Sequence, residues 1–516
     1  MAKKIPSENV MDIELAPTTK GMIIEDVASY KVSPDDAATW LENASDDSLG
    51  YITTRRQFKR RTPASGISIT APIKAVITNQ LSGTNGDYVQ LYFQQGRDLL
   101  QQRLVTSASG TIYSNFFTTT QKNRFDIIQK TLVMTNVGTG TFYHTGNSST
   151  PSALDTEFPT SADLIAAGFV GRVWGAVSTG TVANVYYSDV IPAGGITSLS
   201  TAAQQFIQIN SRNEVPTALI QTPNVLYVFT NNYIFRVFNT NSVENAPYYN
   251  FGTVSQESVT KTQDGFYFYH YSGIYFLSNA GAVKKISNPI YYLLKQVSPE
   301  NQKNVFVWSQ DIFVYFYLGQ LNGQQANKYY TVRYNVMNDS WSLVTTKDAL
   351  LVGTSTDLSE FATAETDTGE QWMPANIIMT ATQMATLDIF DKDTDNQDCY
   401  GDFKDSGSPT DNINIDVQTK WITFDIEAHW KRVNGVAIPH VNASGITVSV
   451  QTDTDDPDRW TPVGTLDENS VTLFREFQST AFNRIKFRYT GTSKGARVKF
   501  AMPILLQVDD LGYESQ

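Results

Sequence analysis

The chain has 516 residues, a formal net charge of −12 and a single cysteine, Cys399. A chain of this length is too long for one compact core, since domains hold about 150 residues on average. The acidic balance argues against a general nucleic-acid binder, which normally needs a basic face to displace counterions. One cysteine excludes an intrachain disulfide and a cysteine metal cluster, while 12% aromatic and 17% charged residues are typical of a globular, β-rich protein.

The first 62 residues differ in composition from the rest and are expected to form an N-terminal arm. Ser33-Pro34-Asp35-Asp36 is a favourable helix start, so a short helix is predicted through Trp40 and Leu41. The chain does not begin with an apolar signal region, and no run approaches the ~18 apolar residues of a membrane span. We therefore expect a chain that is made in a cytoplasm, stays soluble and has no membrane span.

The arm ends in the one strongly basic run of the sequence, TTRRQFKRRTP. Its cations are Arg55, Arg56, Lys59, Arg60 and Arg61. One interpretation is a solvated arm, or an arm docked on the acidic body of the protein. The other is a contact to DNA or to an acidic partner subunit, because clustered cations attract phosphates and carboxylates. These five residues are the candidate contact residues of the sequence.

Residues 63–392 repeat one theme, in which two β-rich runs flank a polar turn and a longer polar connection follows. The turn centres are expected near Arg97, Thr139, Thr179, Asn231, Ser272, Gln310 and Ser355. Their spacing of about 40–50 residues is the period of propeller blades. The sequence therefore predicts an all-β fold whose main part is a β-propeller of six or seven blades.

The run FYFYHY, which begins at Phe266, favours the same architecture. Successive side chains of a strand point to opposite faces, so Phe266 and Phe268 face one way while Tyr267, Tyr269 and Tyr271 face the other. Both faces are aromatic. Each blade of a propeller is sandwiched between two neighbours, so its inner strands are covered on both faces, and this strand is predicted to be one of them.

A change of composition near Asp391 marks the predicted end of the propeller. The stretch DKDTDNQDCYGDFKDSGSPTDN is predicted to be an acidic linker. Oxygen ligands at alternate positions, Asp391, Asp393 and Asp395, are spaced as in a calcium loop. However, Asn396 stands where such a loop needs glycine, and helical patterns do not flank the run. We therefore prefer the plain linker and expect no bound metal.

Residues 393–516 are predicted to form a C-terminal β-sandwich, or platform domain. About six short runs alternate cleanly between apolar and polar residues. In one of them Ile485, Phe487 and Tyr489 share a face, and Lys486 and Arg488 share the other. This pattern indicates a sheet with one buried and one solvated face.

Catalytic motifs are missing from the sequence. The histidines are His144, His270, His429 and His440, and none is spaced as a metal-binding pair. His270 lies inside an aromatic strand and is expected to be packed and hydrogen-bonded. Nucleotide-binding glycine loops and a nucleophile elbow are also absent. We expect neither enzymatic activity nor a cofactor. The alternative is a glycan-binding or glycan-cleaving propeller, which would need two carboxylates about 5–9 Å apart.

Several stretches occur in an order that resembles the propeller-bearing tail proteins of short-tailed bacteriophages, known as tail hub, nozzle or packaged-DNA stabilisation proteins. These stretches are Gly168–Val190, Asn213–Phe238, Phe251–Val259, Tyr329–Val344 and the C-terminal run Thr419–Trp460, which is similar to their platform domain. The likeness covers roughly 350 residues and rests on glycine, aromatic and turn positions. The basic arm before Pro63 is not part of it.

The resemblance implies a structural role in the virion tail, assembled in the cytoplasm of a bacterial host. Such proteins form a ring, usually of six copies, below the portal and adaptor proteins. The ring extends the channel for double-stranded DNA, helps retain the packaged genome and docks tail fibres or spikes. An acidic wall would repel the DNA phosphates within the ~10 Å over which charge acts at 0.1 M salt, so that DNA can slide.

Overall fold

The computed structural model describes most of the propeller and sandwich regions. The described residues are 10–15, 20–24, 38–46, 51–55, 58–61, 73–83, 86–103, 110–129, 131–145, 150–154, 158–192, 205–210, 213–244, 248–310, 312–326, 328–347, 349–353, 364–365, 371–372, 377–379, 384–387, 412–423, 429–453, 456, 459–468, 470–492 and 498–512.

Within these residues, seven groups of four antiparallel strands follow one another and form the blades of a propeller. The strands of blade 1 are Ile73–Gly83, Gly86–Gln95, Asp98–Arg103 and Thr111–Tyr113. The strands of blade 2 are Arg124–Ile128, Thr131–Asn136, Gly140–His144 and Ser152–Ala153. The strands of blade 3 are Leu164–Ala167, Val173–Ala176, Ala183–Tyr187 and Phe206–Ile209. The strands of blade 4 are Ala218–Gln221, Leu226–Phe229, Ile234–Asn239 and Ser242–Val243. The strands of blade 5 are Val259–Lys261, Gly265–His270, Gly273–Ser278 and Val283–Lys285. The strands of blade 6 are Phe306–Gln310, Phe313–Gly319, Tyr329–Asn335 and Ser340–Thr346.

Blade 7 is built from both ends of the propeller region and closes the ring. Its first three strands are Leu351–Gly353, Ile377–Met379 and Met384–Leu387, and its fourth is Phe58–Arg61, which pairs antiparallel with Met384–Leu387. The inner strand of blade 7 contacts the inner strand of blade 1. A separate hairpin, Ala364–Glu365 with Gln371–Trp372, lies within the same stretch. The strand before blade 1 therefore holds the last blade in the ring.

The aromatic strand Gly265–His270 is buried on both faces, as its sequence predicts. Phe266 packs against Tyr227 of blade 4 with ring centroids 5.3 Å apart. On the opposite face, Tyr267 lies 5.9 Å from the ring of Tyr334 in blade 6. Phe266 is fully buried and Tyr267 is 6% exposed. The prediction of a propeller strand that neighbouring blades cover on both faces is confirmed, and the fold class with it.

A β-sandwich of two sheets packs beside the propeller. The strands of its first sheet are, in order, Ala38–Glu42, Asn414–Thr419, Ile485–Thr492, Thr447–Thr452 and Thr461–Thr465. The strands of its second sheet are Val10–Glu14, Ile504–Gly512, Val436–Val441, Lys499–Phe500, Ile52–Thr54 and Ala44–Asp46, with Trp430–Val433 and Val471–Phe474 as side branches. In the predicted alternating strand Ile485, Phe487 and Tyr489 are fully buried between the sheets, and Lys486 and Arg488 point outward.

The first sandwich sheet is continuous with blade 6. Ala38–Glu42 pairs in parallel with the outermost strand of that blade through Glu42 and Leu343, and antiparallel with Asn414–Thr419. Blade and sandwich thus share one nine-stranded sheet. A single hydrophobic core runs from Tyr269 of blade 5 through the junction to Tyr489 of the sandwich. Propeller and sandwich are therefore joined through packed strands as well as through the linker.

The first 62 residues contribute strands to three sheets. The helix predicted through Trp40 and Leu41 is wrong, because both residues lie on the strand Ala38–Glu42. Leu41 is fully buried between the sheets, opposite Val417. Burial against a neighbouring strand outweighs the local helix-start signal, which is only a weak preference. The start signal itself and the acidic stretch 391–411 lie outside the described residues.

Helical structure is sparse among the described residues. Two short α-helices, Tyr291–Leu294 and Pro299–Gln302, connect blades 5 and 6. The 3₁₀ turns are Phe169–Gly171, Gln256–Ser258 and Asn288–Ile290. Among these helices, none is long and apolar enough to cross a membrane.

Val170, in the connection between the first two strands of blade 3, has a strained backbone. Its φ of 53° and ψ of 31° place a β-branched residue in the left-handed region, and its side chain is 46% exposed. Such a conformation costs about 1–2 kcal/mol. We expect Val170→Gly to raise the free energy of unfolding by about 1 kcal/mol, measured by urea denaturation. The control is Val182→Gly, at an exposed valine without positive φ, which should lower the free energy of unfolding. If Val170→Gly also lowers the free energy of unfolding, the backbone at Val170 is not strained.

Candidate functional site

Side chains of the inner strands tie neighbouring blades together around the propeller axis. Asp126 of blade 2 accepts a hydrogen bond from the N–H of Ala167 in blade 3 at 2.7 Å. Gln221 of blade 4 donates to the carbonyl of the same Ala167. Gln256, just before blade 5, donates to the carbonyl of Leu219 in blade 4 and accepts from its N–H, at 2.9 and 2.8 Å. These bonds satisfy inner-strand backbone groups that the blade sheets leave unpaired.

An ion cluster spans the axis. Lys122 and Arg124, at the start of the inner strand of blade 2, both contact the carboxylate of Glu257, which precedes the inner strand of blade 5. The Lys122 Nζ atom lies 2.7 Å from the Glu257 Oε1 atom. Blades 2 and 5 are not neighbours in a ring of seven, so this contact crosses from one side of the axis to the other.

The three charges are partly enclosed by the surrounding blades. The exposed fractions of their side chains are 35% for Lys122, 21% for Arg124 and 22% for Glu257. Burial by itself would raise the pKa of Glu257, but Arg124 and Lys122 outweigh it and lower that pKa to about 2. Burial lowers the pKa of Lys122, and the Glu257 carboxylate opposes this change. The Glu257 carboxylate therefore stays ionised at neutral pH, and the three side chains of the cluster obstruct the axis.

We expect the cluster to stabilise the propeller in a pH-dependent way. The folded pKa of Glu257 lies below its usual 4.5, so its contribution is complete above about pH 4.5 and is lost as the pH falls toward 2. Glu257→Gln should lower the free energy of unfolding by about 2–3 kcal/mol at pH 7. Urea denaturation at pH 7 and pH 3 measures this difference, which should shrink at the lower pH.

The matched control is the Asp339→Asn variant. Asp339 forms an ion pair with Lys284 at 3.1 Å, but both side chains are more than 60% exposed. Exposed pairs contribute about 0–1 kcal/mol, and the Asn Oδ1 atom can still accept the hydrogen bond that Tyr334 donates to Asp339. This variant should therefore change stability little at pH 7. Equal losses for the two variants, or a Glu257→Gln loss that does not depend on pH, would contradict a stabilising bridge across the axis.

A second polar cluster lies at the junction of blade 6, the sandwich and the N-terminal strands. Asn43 (φ 54°) accepts a hydrogen bond from Arg55 Nε through its Oδ1 atom at 2.9 Å, and donates to Thr345 Oγ1 through Nδ2 at 2.8 Å. Thr345 Oγ1 donates to Glu42 Oε1 at 2.9 Å, and Lys328 lies 2.5 Å from the same carboxylate oxygen. The network therefore links the N-terminal segment to the outermost strand of blade 6.

The structure separates the five basic residues predicted as contacts. Arg55 is 2% exposed and belongs to this junction network, so its predicted role as a contact to DNA or a partner is corrected to a structural one. Lys59, Arg60 and Arg61 lie on the closing strand of blade 7, where a contact role stays a prediction. Arg56 lies outside the described residues.

The four histidines are all hydrogen-bonded within the chain. The partners are Tyr92 Oη for His144 at 3.0 Å, Ser272 Oγ for His270 at 2.7 Å, Asp510 Oδ2 for His429 at 2.9 Å and Thr472 Oγ1 for His440 at 2.8 Å. Burial lowers the pKa of His270, which favours the neutral ring. The prediction of a packed, hydrogen-bonded His270 is confirmed.

Metal-binding side chains are not assembled in the described part of the chain. Within it, no three His, Cys, Asp or Glu side chains are grouped closely enough to hold a metal ion. The acidic run that begins at Asp391, with its calcium-like spacing, lies outside the described residues. The axial ion cluster and the junction network are thus the charged sites that the structure adds to the sequence.

Comparisons with known proteins bear on architecture alone. Neither a family model nor a curated protein matches the chain. Solved structures with a similar arrangement include YCF48 bound to a D1 peptide, which is 12% identical over 64% of this chain and 98% of its own, with a TM-score of 0.36. The AfRom2 CNH domain is 11% identical over 66% of this chain and 99% of its own, with a TM-score of 0.39. The C-terminal WD40 domain of Sif2 is 8% identical over 64% of this chain and 98% of its own, with a TM-score of 0.33. At these scores the assignment of an all-β propeller fold rests on the sheet topology of the chain itself.

Proposed function

We propose that this chain is a structural virion protein of a short bacteriophage tail. Copies form a ring, expected to be a hexamer, that extends the DNA channel below the portal and adaptor proteins. The ring helps retain the packaged genome and docks other tail proteins, fibres or spikes. The order of glycine, aromatic and turn positions from Gly168 to Trp460 is the source of this proposal, and no enzymatic step is part of it.

The observation that supports the proposal most strongly is the shared nine-stranded sheet. It joins blade 6 to the sandwich through paired strands, and the Arg55–Asn43–Thr345 network reinforces the same junction. A two-part block of fixed shape suits a closed ring, because every copy must present its contact surfaces at the same angle. A binding module that works alone has no such need.

The axial ion cluster constrains where DNA would pass. Lys122, Arg124 and Glu257 meet across the axis of the propeller, so a duplex would run through the lumen between copies. A chain of net charge −12 repels phosphates at short range, within the ~10 Å over which charge acts at 0.1 M salt. Arg56, Lys59, Arg60 and Arg61 remain the proposed contacts to DNA or to a neighbouring acidic subunit.

Sedimentation of the purified chain tests the proposal. We expect a discrete particle of several 57.4 kDa chains, and we expect the same protein in purified phage particles when their composition is analysed by mass spectrometry. A chain that stays monomeric at micromolar concentration and is absent from particles would overturn the tail-ring assignment.

A second candidate function, glycan binding by the propeller, is favoured by an exposed tyrosine at a hairpin of blade 5. Tyr271 is 44% exposed, and its ring centroid lies 5.7 Å from that of His270. An exposed aromatic face of this kind can stack on a sugar. A glycan array with a turnover assay tests this function: saturable binding that Tyr271→Ala abolishes would support it, and no binding would exclude it.

A further inference from the structure

The axial ion cluster contains two basic side chains and one carboxylate. Lys122 and Arg124 both contact Glu257. The charges that shift the pKa of Glu257 are those of Arg124 and Lys122, and the charges that shift the pKa of Lys122 are those of Glu257 and Arg124. Asp126, further along the same strand, accepts hydrogen bonds from two backbone N–H groups of blades 2 and 3, each at 2.7 Å. Among the described residues, no further acid therefore perturbs the pKa of Lys122 or Glu257.

Hydrogen-bond donors also outnumber acceptors in this cluster. A charged lysine and an arginine together carry about eight N–H groups, whereas a carboxylate has about four acceptor positions. Arg124 donates to Glu257 through its Nη1 atom, and its buried Nε atom has no acceptor among the described residues. A buried donor that lacks a partner costs free energy. The cluster is therefore short of acceptor atoms as well as of negative charge.

The position of Lys122 makes this shortage unfavourable. Burial lowers the pKa of Lys122, the Glu257 carboxylate raises it, and the charge of Arg124 lowers it again. An enclosed ammonium group that shares its only carboxylate with a second cation is stabilised poorly in its charged form. A second anion beside Lys122 and Arg124 would supply both the negative charge and the acceptor atoms that the cluster lacks.

The cluster is accessible to a ligand of small size. The side chains of Lys122, Arg124 and Glu257 are between 21% and 35% exposed, so solvent reaches all three from the axis. The same side chains obstruct the axis, and a polymer such as duplex DNA cannot enter a passage that they close. An ion of a few atoms can reach their exposed edges. The ligand is therefore a small anion rather than a nucleic acid.

We propose that the propeller axis binds a small oxyanion, such as phosphate, beside Lys122 and Arg124. The planar guanidinium group of an arginine matches two oxygen atoms of an oxyanion, and the ammonium group of a lysine contacts such an ion as a point charge. The three side chains of the cluster belong to one chain. The site therefore goes beyond the proposed tail ring and does not depend on ring formation.

Isothermal titration calorimetry of the full-length chain with sodium phosphate, at pH 7 and constant ionic strength, tests this site. The wild type should bind phosphate saturably, with one ion per chain. Lys122→Met removes the ammonium group and should weaken binding by about tenfold or more, the usual loss for a hydrogen bond to a charged group. Lys284→Met is the matched control, because the Lys284 side chain is 62% exposed, and it should bind phosphate as the wild type does.

Glu257→Gln separates loss of the site from loss of folding. This variant removes the competing carboxylate, so it should bind phosphate about tenfold more tightly, because like charges a few ångströms apart repel. A chain that had merely lost its fold would bind more weakly. Circular dichroism of the same samples shows which variants are folded. Absence of saturable binding to the wild type, equal binding by the wild type and Lys122→Met, or weaker binding by folded Glu257→Gln would overturn the axial oxyanion site.

Discussion

Deletion of residues 1–61 is expected to abolish the folded propeller. The deletion removes Phe58–Arg61, the fourth strand of blade 7, which lies between the end and the start of the blade series. It also removes Ala38–Glu42, which joins blade 6 to the sandwich, and Val10–Glu14 of the second sheet. Without these strands three sheets gain open edges, and an open edge is an aggregation site.

The stability lost on deletion of residues 1–61 should exceed the total stability of a folded domain. Native domains are stable by about 5–15 kcal/mol, and removal of a closing strand exposes both its pairing partner and the blade interior. We expect the chain 62–516 to aggregate or to lack a cooperative unfolding transition, as measured by size-exclusion chromatography and near-UV circular dichroism. Deletion of residues 1–9, which removes none of the described strands, is the control. A monodisperse 62–516 chain with a wild-type transition would mean that the first segment is a dispensable arm.

Arg55→Ala is expected to lower the free energy of unfolding by about 3–5 kcal/mol, the range for removing one partner of a buried charged network. Arg55 is 2% exposed, and its backbone N–H and Nε both donate to Asn43, each at 2.9 Å. Removal of the guanidinium leaves the Asn43 Oδ1 atom without this donor, and it leaves a cavity at the junction of blade 6 and the sandwich.

Urea denaturation of the full-length chain measures this effect. Arg475→Ala is the matched control, since Arg475 is exposed on the sandwich and surface substitutions change stability by about 0.5 kcal/mol or less. The two roles considered for Arg55 give different results. A structural arginine costs stability, whereas a DNA-contacting arginine would leave stability unchanged and weaken DNA binding in a salt-dependent way. Unchanged stability for Arg55→Ala would contradict the buried network.

The parts of the fold that the sequence predicts are those determined by local alternation. Phe266 and Tyr267 indicate a strand covered on both faces because adjacent side chains must point apart. Ile485 and Lys486 indicate a half-solvated sheet for the same reason. The turn positions near Arg97, Thr139, Thr179, Asn231 and Ser272 lie at the hairpins between the second and third strands of blades 1 to 5. Near Gln310 the hairpin joins the first and second strands of blade 6 instead, and Ser355 lies outside the described residues.

The features that the sequence does not predict depend on contacts between distant residues. The strand Phe58–Arg61 is basic and short, so its pairing with Met384–Leu387, at the far end of the propeller region, has no local signal. Glu257 and Arg124 are separated by 133 positions. The hydrogen-bond network around Asn43 likewise joins residues that are far apart in the sequence. Asn43 has a positive φ, which marks a special backbone position. Burial of Arg55 depends on the sandwich, which the neighbouring sequence does not reveal.

Electron cryomicroscopy of the assembled protein tests the central claim most directly. We predict a closed ring of copies around a lumen wide enough for duplex DNA, with each copy visible as a seven-bladed wheel joined through blade 6 to a sandwich. Isolated single chains, or a ring in which the open path runs along the axis of a propeller between Lys122 and Glu257, would contradict it.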